Sequence, residues 1–256
     1  MSKMENILFE LSNTQLSVHH LSSNSIVASW YLDFSSKPEL QRKDYVADFI
    51  VREGISLLNY ANALILWSTN QTILVPNKLF ENTSIDSLLA LSFGDKFIKN
   101  DTDYNRNPIL GTVTIYTIPL WIKSLFVTKF PGAKIIHSCS AWLNYLATKN
   151  TNVKFHGVLV LAESTSTLVV FHEDKPVVFV QNTFSAVEDI IYHTTYSLQK
   201  MNLLEKKGII EIFSFDREKS DVPNQLITKM NQLNIASTIE WKSNTELDLN
   251  SFDLCV

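Results

Sequence analysis

The sequence predicts an α/β protein in which mixed sheets are built twice from the same order of elements. Three short apolar runs followed by a helical pattern occur near the N-terminus, and the same succession returns about 150 residues later. Strands alternate with helices after each copy. With 256 residues, of which 45% are hydrophobic, the chain is long enough to bury a core in each of two lobes.

The first copy begins with a predicted meander of three antiparallel strands. Its apolar runs are Ile7–Leu11, Leu16–Leu21 and Ile26–Leu32, and the turn-forming clusters SNT and SSNS separate them. A helix follows, because apolar residues recur at helical spacing and form one stripe. The residues of this stripe are Val46, Phe49, Ile50 and Leu57.

Strands and helices then alternate through the rest of the first half. The predicted strands are Ala63–Trp67, Thr72–Val75, Thr112–Ile118 and Ala133–His137. The predicted helices are Ser84–Leu91, a helix opened by Pro119, and Ser140–Ala147, which Ser138 or Ser140 would cap. The polar stretch Lys99–Pro108 between them is predicted to be a solvated connection.

The second copy repeats the meander and its helix. Its strands are predicted at Gly157–Leu161, Thr167–Phe171 and Val177–Val180. Ser185 and Glu188 form a predicted capping box at the start of the next helix. The apolar stripe of that helix is Val187, Ile190, Ile191 and Leu198. The elements expected after it are the strand Ile209–Phe213, a helix near Asn224–Leu233 and the strand Ala236–Trp241.

An ungapped comparison at an offset of about 150 residues supports a duplication. It pairs Thr14 with Ser164 and Phe34 with Phe184, although the identity between the copies is low. Two independent meanders are the alternative explanation. The polar segment Thr148–Lys154 is typical of a connection between lobes. We therefore expect an N-terminal lobe at 1–150, which includes a strand and helix connection, and a C-terminal lobe at 151–256.

Composition excludes several classes of function. The net charge is −4 and no block of basic residues occurs, so nucleic acid is not an expected partner. No apolar run is long enough to span a membrane. The two cysteines, Cys139 and Cys255, lie far apart and the first residues do not resemble a secretory signal, so a cytoplasmic protein is expected.

Three segments carry a resemblance to a known family. At Ile73–Phe80, Tyr116–Leu146 and Leu168–Ser185 the chain resembles a bacterial domain family of unknown function, which is itself similar to the actin-like proteins of pilus assembly and cell division. The resemblance implies a duplicated ribonuclease-H-like (actin-like ATPase) fold: two lobes, each with a mixed five-stranded sheet flanked by helices. It supplies no catalytic residues, and none are predicted.

The resemblance also implies where a nucleotide would bind. Active members of this superfamily place an acidic residue, a glycine and hydroxyl residues at the first turn of each lobe, where backbone N–H groups cradle phosphate. Glu10, Ser12 and Thr14 occupy the first of these turns, and Ser164 and Thr165 occupy the second. Neither turn contains glycine, and the chain has only six glycines in all.

The adenosine-binding step of the superfamily would fall near Ile212–Ser220, which also lacks glycine, and Glu163 stands inside the second turn rather than at a strand end. These departures favour a non-enzymatic actin-like protein with a degenerate nucleotide site. Its predicted role is interaction with a protein partner or with itself, without cofactor or metal. The alternative is a divergent ATPase or kinase that uses ATP and Mg²⁺, in which Glu10, Thr14, Ser164 and Thr165 hold phosphate and metal.

Other chemically suggestive groups have structural interpretations. His137 and Cys139 have no second pair that would complete a zinc site, so Cys139 is expected to pack as an apolar residue. His19 and His20 point to opposite faces of a strand, and one is expected to face solvent. The stretch from Asp101 imitates a calcium loop without its glycine or its final glutamate.

Aromatic residues in the periodic segments are expected to be mostly core, and any that are exposed would support a protein-binding role. They are Trp30, Tyr116, Trp121, Phe130, Trp142 and Trp241.

Overall fold

The structure is a computed structural model that describes residues 5–22, 25–58, 60–94, 101–149, 152–162, 164–214 and 221–242. The chain divides into two compact units. The first unit comprises Met1–Arg106 and Thr112–Ser140, and the second comprises Asn107–Gly111 and Ala141–Val256.

The strands and helices of the described residues follow one another along the chain. The strands are β1 (Glu5–Leu11), β2 (Gln15–Ser22), β3 (Ser25–Asp33), β4 (Asn62–Trp67), β5 (Thr72–Pro76), β6 (Thr102–Asn107), β7 (Thr112–Thr117), β8 (Lys134–His137), β9 (Phe155–Ala162), β10 (Thr165–His172), β11 (Lys175–Thr183), β12 (Gly208–Ser214) and β13 (Thr238–Trp241). The helices are α1 (Glu39–Arg52), α2 (Asn77–Asn82), α3 (Ile85–Phe93), α4 (Leu120–Lys129), α5 (Ser138–Thr148), α6 (Val187–Lys200) and α7 (Val222–Gln232).

Two five-stranded sheets have the same connectivity. Their strand orders are β3-β2-β1-β4-β8 and β11-β10-β9-β12-β13. In each sheet the central strand is antiparallel to the strand that follows it and parallel to the strand on its other side. The two mixed five-stranded sheets confirm the predicted α/β architecture, and a third sheet of β5, β7 and β6 accompanies the first.

One hydrogen bond recurs at equivalent places in the two copies. The N–H of Phe34 donates to the carbonyl of Thr14 at 2.7 Å, and the N–H of Phe184 donates to the carbonyl of Ser164 at 2.8 Å. The sequence comparison at an offset of 150 residues pairs these same positions, Thr14 with Ser164 and Phe34 with Phe184. In each unit the bond ties the end of the meander back to its first turn, so the repeat extends from strand order to individual backbone groups.

The core of the first unit lies on one face of its sheet. Ile7, Phe9 and Leu11 alternate along β1 and belong to a buried cluster with residues of α1 and α4. The ring of Phe9 lies 5.0 Å from that of Phe126 and 4.6 Å from that of Phe130. These aromatic contacts place α4 against the central strand.

The core of the second unit uses the equivalent face. Phe155, Leu159 and Leu161 of β9 pack with Ile190 of α6 and Leu226 of α7 in one buried cluster. The same alternation places the even-numbered residues of β1 and of β9 on the other face of each sheet, so Glu10 and His156 both lie away from these clusters.

The first predicted helix is wrong at its C-terminal end. The helix α1 ends at Arg52, and Gly54 adopts a positive φ of 68° that favours a residue without Cβ. The chain then forms a short 3-10 helix that buries Ile55 and leaves Leu57 87% exposed. Leu57 is therefore not part of the apolar stripe.

Two other local predictions are also wrong. The polar stretch before Pro108 contains the strand β6, in which Asn105 is buried and accepts the N–H of His137 through its side-chain amide oxygen. The capping box of α6 uses Asp189 instead of Glu188. One Asp189 carboxylate oxygen accepts from the backbone N–H groups of Ser185 and Ala186.

We expect Phe9→Ala to lower the free energy of unfolding of the first unit by about 3–5 kcal/mol, because it empties space between two aromatic rings that cannot fully collapse. Urea denaturation followed by circular dichroism measures the change. Leu57→Ala is the matched control, for which we expect a change within about 0.5 kcal/mol because this side chain is exposed. Equal losses in the two variants would contradict the assignment of the core.

Candidate functional site

The turn between β1 and β2 is closed by the side chain of Ser12. Its Oγ accepts the backbone N–H of Thr14 at 3.3 Å and that of Gln15 at 3.1 Å. The N–H of Ser12 itself donates to the carbonyl of Gln15 at 2.9 Å. A serine hydroxyl that accepts nearby backbone N–H groups is a common way to stabilise a turn.

Two turn carbonyls are bound from outside the hairpin. The guanidinium of Arg42 on α1 donates to the carbonyl of Asn13 at 2.9 Å, and Phe34 donates to that of Thr14. A phosphate-binding turn directs its N–H groups at the ligand. Here the N–H groups of Thr14 and Gln15 are directed at the Ser12 hydroxyl of the same turn.

Glu10 is buried beside His19 and not in the turn. It is only 3% exposed, and its Oε2 lies 3.5 Å from Nε2 of His19. Nδ1 of His19 is 2.9 Å from Oγ of Ser29. Within the described residues, Oε1 of Glu10 has no hydrogen-bond partner. Glu10, His19 and Ser29 therefore join β1, β2 and β3 on the sheet face away from the aromatic core.

The second turn is shorter than the first. The strands β9 and β10 stay paired as far as Ala162 and Thr165, which leaves two residues for the connection. The hydroxyl of Thr165 donates to the carbonyl of Ala162 at 3.0 Å, and the carbonyl of Ser164 accepts from Phe184. Thr165 therefore closes the hairpin of β9 and β10, whereas Ser164 binds the residue that follows β11. Glu163 lies outside the described residues, as do 215–220 of the expected adenosine-binding step.

A second buried histidine and carboxylate pair lies in the second unit. Nε2 of His156 on β9 is 3.2 Å from Oε2 of Glu211 on β12, and both residues are buried. Burial opposes the charged form of Glu211, but hydrogen bonds from His156 and Tyr145 outweigh it and hold the pKa of the carboxyl below its usual range. The sequence had assigned no partner to His156, because Glu211 reaches it only through the pairing of parallel strands.

The adjacent histidines His19 and His20 take opposite directions, as predicted. His20 approaches Glu5, with Nε2 and Oε2 3.3 Å apart, whereas His19 approaches Glu10. The expectation that one faces solvent is not met, since the side chains of His19 and His20 are only 6% and 12% exposed. Among the described residues, no three His, Cys, Asp or Glu side chains are grouped as metal ligands.

His137 caps a helix from a buried position. It directly precedes α5, and its Nδ1 accepts the N–H of Cys139 at 3.1 Å. This corrects the expectation that Ser138 or Ser140 provides the cap, since both lie inside the helix. Burial lowers the pKa of His137 to about 3, against the effect of a hydrogen bond with the backbone of Thr69. The imidazole is therefore neutral at physiological pH.

Cys139 is not a nucleophile paired with His137. Its backbone, and not its sulfur, is what the imidazole contacts. Burial raises the pKa of the Cys139 thiol to about 12, which outweighs the opposite effect of its hydrogen bond with Ser138. A thiol in this state forms almost no thiolate. The pair is structural, which confirms that Cys139 packs as a small apolar residue.

The aromatic residues divide into a buried and an exposed group. Tyr116, Phe130 and Trp142 are buried, while Trp30 and Trp121 are partly buried against the first core. Trp241 is 47% exposed. Tyr192 and Tyr196, which the sequence did not single out, are also exposed on α6. No helix in the described part of the chain is long and apolar enough to cross a membrane.

Comparison with known proteins identifies the fold. The model of a family of proteins of unknown function, DUF3822, matches residues 3–229. Among curated proteins, no sequence matches the chain. A protein from Bacteroides thetaiotaomicron with an actin-like ATPase fold and unknown function superposes with a TM-score of 0.74 and 11% identity, over 99% of this chain and 95% of that one.

Two further solved structures are similar over most of their length. The PilM–PilN complex of type IV pilus biogenesis matches with a TM-score of 0.56 and 11% identity, over 98% of this chain and 90% of that one. The ethanolamine utilization protein EutJ from Carboxydothermus hydrogenoformans matches with a TM-score of 0.51 and 6% identity, over 94% and 85%. The chain therefore has the actin-like ATPase fold that its resemblance implied.

The neutral state of His137 predicts a pH dependence of stability. Its pKa is about 3 in the folded chain and near 6.5 when unfolded. Only the unfolded imidazole takes up a proton between these values, so its contribution to stability is complete above pH 6.5 and is lost as the pH falls below it, by about 1.4 kcal/mol per pH unit.

His137→Asn keeps a side chain that can cap the helix and removes the titration. Urea denaturation at pH 7, 6 and 5 should give a shallower loss of stability in His137→Asn than in the natural chain. The substitution also changes the free energy of unfolding by an amount that does not depend on pH. This amount cancels, because the comparison is between the slopes of that free energy against pH. Parallel slopes would show that His137 is protonated in the folded protein.

We also expect Cys139 to resist thiol reagents. In a Cys255→Ser chain at pH 8, an aromatic disulfide reagent should label no thiol in the native protein and one thiol after unfolding in urea. The unfolded sample serves as the control for reagent activity. Labelling of the native chain within minutes would contradict the burial and the raised pKa of this thiol.

Proposed function

Taking as premise that this chain belongs to the DUF3822 family of unknown function, we propose that it is a non-enzymatic actin-like protein. It keeps the two-lobed fold, has a degenerate nucleotide site, and acts by binding another protein or a second copy of itself. The single observation that carries this proposal is the Ser12 hydroxyl, which binds the N–H groups of Thr14 and Gln15.

The first support is that phosphate would have to break the existing turn. Ser12 Oγ would need to leave two N–H groups, and its own side chain would then stand beside the incoming anion. Glycine avoids both problems because it has no side chain. The second turn supports the same conclusion. Its connection has only two residues, which is shorter than a phosphate-cradling loop, and the Thr165 hydroxyl donates across it to the carbonyl of Ala162.

The second support concerns Glu10. A metal-binding carboxylate in this superfamily acts on a hydrated cation near the phosphates, whereas Glu10 is buried and directed at His19. In this chain the carboxylate therefore faces the interior of its own sheet rather than the turn between β1 and β2.

The role in binding proteins rests on surface chemistry and on one similar structure. Tyr192, Tyr196 and Trp241 are exposed, and exposed aromatic side chains are the residues that most often anchor protein interfaces. The PilM structure was solved as a complex with the protein PilN. That complex supports our proposal that the present chain also binds a protein partner.

The proposal predicts that ATP with Mg²⁺ does not stabilise the protein. A ligand at a hundred times its dissociation constant adds about 2.7 kcal/mol, which would raise the melting temperature of a chain of this size by at least about 5 °C. Differential scanning calorimetry with 5 mM ATP and 10 mM Mg²⁺ should show no such rise. Mg²⁺ with sodium sulfate is the control for salt effects.

A rise in melting temperature that Glu10→Gln abolishes would overturn the proposal. It would favour the alternative, a divergent ATPase or kinase. One observation favours that alternative. Oε1 of Glu10 is buried without a hydrogen-bond partner in the described part of the chain, and a bound cation would supply the missing partner. Glu5→Gln is the matched control, because Glu5 also approaches a histidine but lies at the far end of β1.

A further inference from the structure

The exposed side of α6 carries two stacked tyrosines between opposite charges. Tyr192 is 63% exposed and Tyr196 47% exposed, and their ring centroids lie 6.1 Å apart with planes at 15°. Glu188 precedes them and Lys200 follows them at the same spacing of four residues. Residues four apart form a continuous ridge on a helix. We call Glu188, Tyr192, Tyr196 and Lys200 the α6 stripe.

The two ends of the α6 stripe are held in place within the second unit. The ammonium of Lys229 on α7 binds the Glu188 carboxylate, and this hydrogen bond holds the pKa of Glu188 below its usual range. The ammonium of Lys200 lies 5.3 Å from the centre of the Tyr196 ring. The stripe is therefore an ordered surface with a carboxylate at its N-terminal end, which Lys229 of the same chain already binds, and an ammonium group at its C-terminal end.

This charge pattern is self-complementary. Glu188 and Lys200 are equally distant along the chain from Thr194, and so are Tyr192 and Tyr196. A second α6 can lie antiparallel to the first, related by a two-fold axis that crosses the stripe level with Thr194. This arrangement brings each Glu188 opposite the partner's Lys200. The same axis brings Tyr192 opposite the partner's Tyr196. A parallel arrangement would instead face like charges with each other.

We propose that the α6 stripe is a self-association surface whose occupant is the α6 stripe of a second copy, in antiparallel orientation. A two-fold axis makes every contact occur twice, which is the usual arrangement of homodimers. Packing of four-residue ridges is also the commonest class of helix contact. This inference rests on the proposed function and deepens it, because it names the protein partner as the same chain.

A contact made mainly by one helix is smaller than a standard interface, so the dimer should be transient. Sedimentation velocity between 10 and 500 μM should show the natural chain shifting from monomer toward dimer. Glu188→Lys alone or Lys200→Glu alone should weaken association about tenfold, since each reversal places like charges together at two sites. A natural chain that stays monomeric at 500 μM would overturn the inference.

Mixing the two charge variants gives the sharpest test. In a pair formed by one Glu188→Lys chain and one Lys200→Glu chain, both ends of the stripe again meet an opposite charge. The equimolar mixture should therefore associate at least as well as the natural chain, while neither variant associates well alone. A mixture no better than its components would overturn the antiparallel pairing.

Two matched controls separate the stripe from general surface effects. Lys229→Gln removes the ion pair within the chain and keeps the stripe, so association should persist. Leu91→Ser removes an even more exposed apolar side chain on α3 of the first unit and should also leave association unchanged. Tyr192→Ser with Tyr196→Ser should reduce it at least tenfold. Thermal melts check that each variant is folded.

The two proposals can fail separately. Stabilisation by ATP with Mg²⁺ would overturn the non-enzymatic function without affecting the α6 stripe. A chain that stays monomeric and is not stabilised by ATP with Mg²⁺ would overturn self-association through the α6 stripe. The expected partner would then be a protein of a different sequence.

Discussion

Burial of β1 and β9 on both faces is the constraint on which the other elements depend. Each strand is the middle of five, with an antiparallel neighbour on one side and a parallel neighbour on the other. One face of β1 meets an aromatic cluster, which leaves the opposite face to Glu10 and other buried residues. A carboxylate in such a position needs a partner, and His19 on the adjacent strand provides it.

The same constraint shapes the candidate site. A turn at the end of a fully buried strand cannot adjust its position freely, so its polar groups must be bound locally. In this chain Ser12 binds them from within the turn, while Arg42 and Phe34 bind its carbonyls from outside. The result is a hairpin that is complete without a ligand.

Much of the fold could be predicted because its signals are local. Apolar runs and turn clusters located β1 to β3 and β9 to β11, and the offset of the two copies found the residues that share a backbone bond. The strand β6 escaped prediction because its residues are polar and it is held by contacts such as that of Asn105 with His137. Leu57 was misplaced because periodicity does not reveal where Gly54 ends a helix.

The site was predictable in composition but not in geometry. The residue types at both turns indicated that no glycine cradle exists, yet only coordinates show that the Ser12 hydroxyl accepts two N–H groups. The pairs of Glu10 with His19 and of His156 with Glu211 depend on strand register, which a single sequence does not reveal. The α6 stripe was missed for a similar reason, since helical spacing alone does not tell an exposed tyrosine from a buried one.

The two buried pairs also bear on how a duplicated chain avoids misassembly. Two sheets of one strand order invite a strand of one copy to pair within the other during folding, a frequent failure of repeated domains. In the first unit the pair joins β1 to β2, whereas in the second it joins β9 to β12. A strand exchanged between the copies would carry Glu10 or His156 away from the strand that holds the other member of its pair. Each pair is therefore made only when the strands of its own sheet come together.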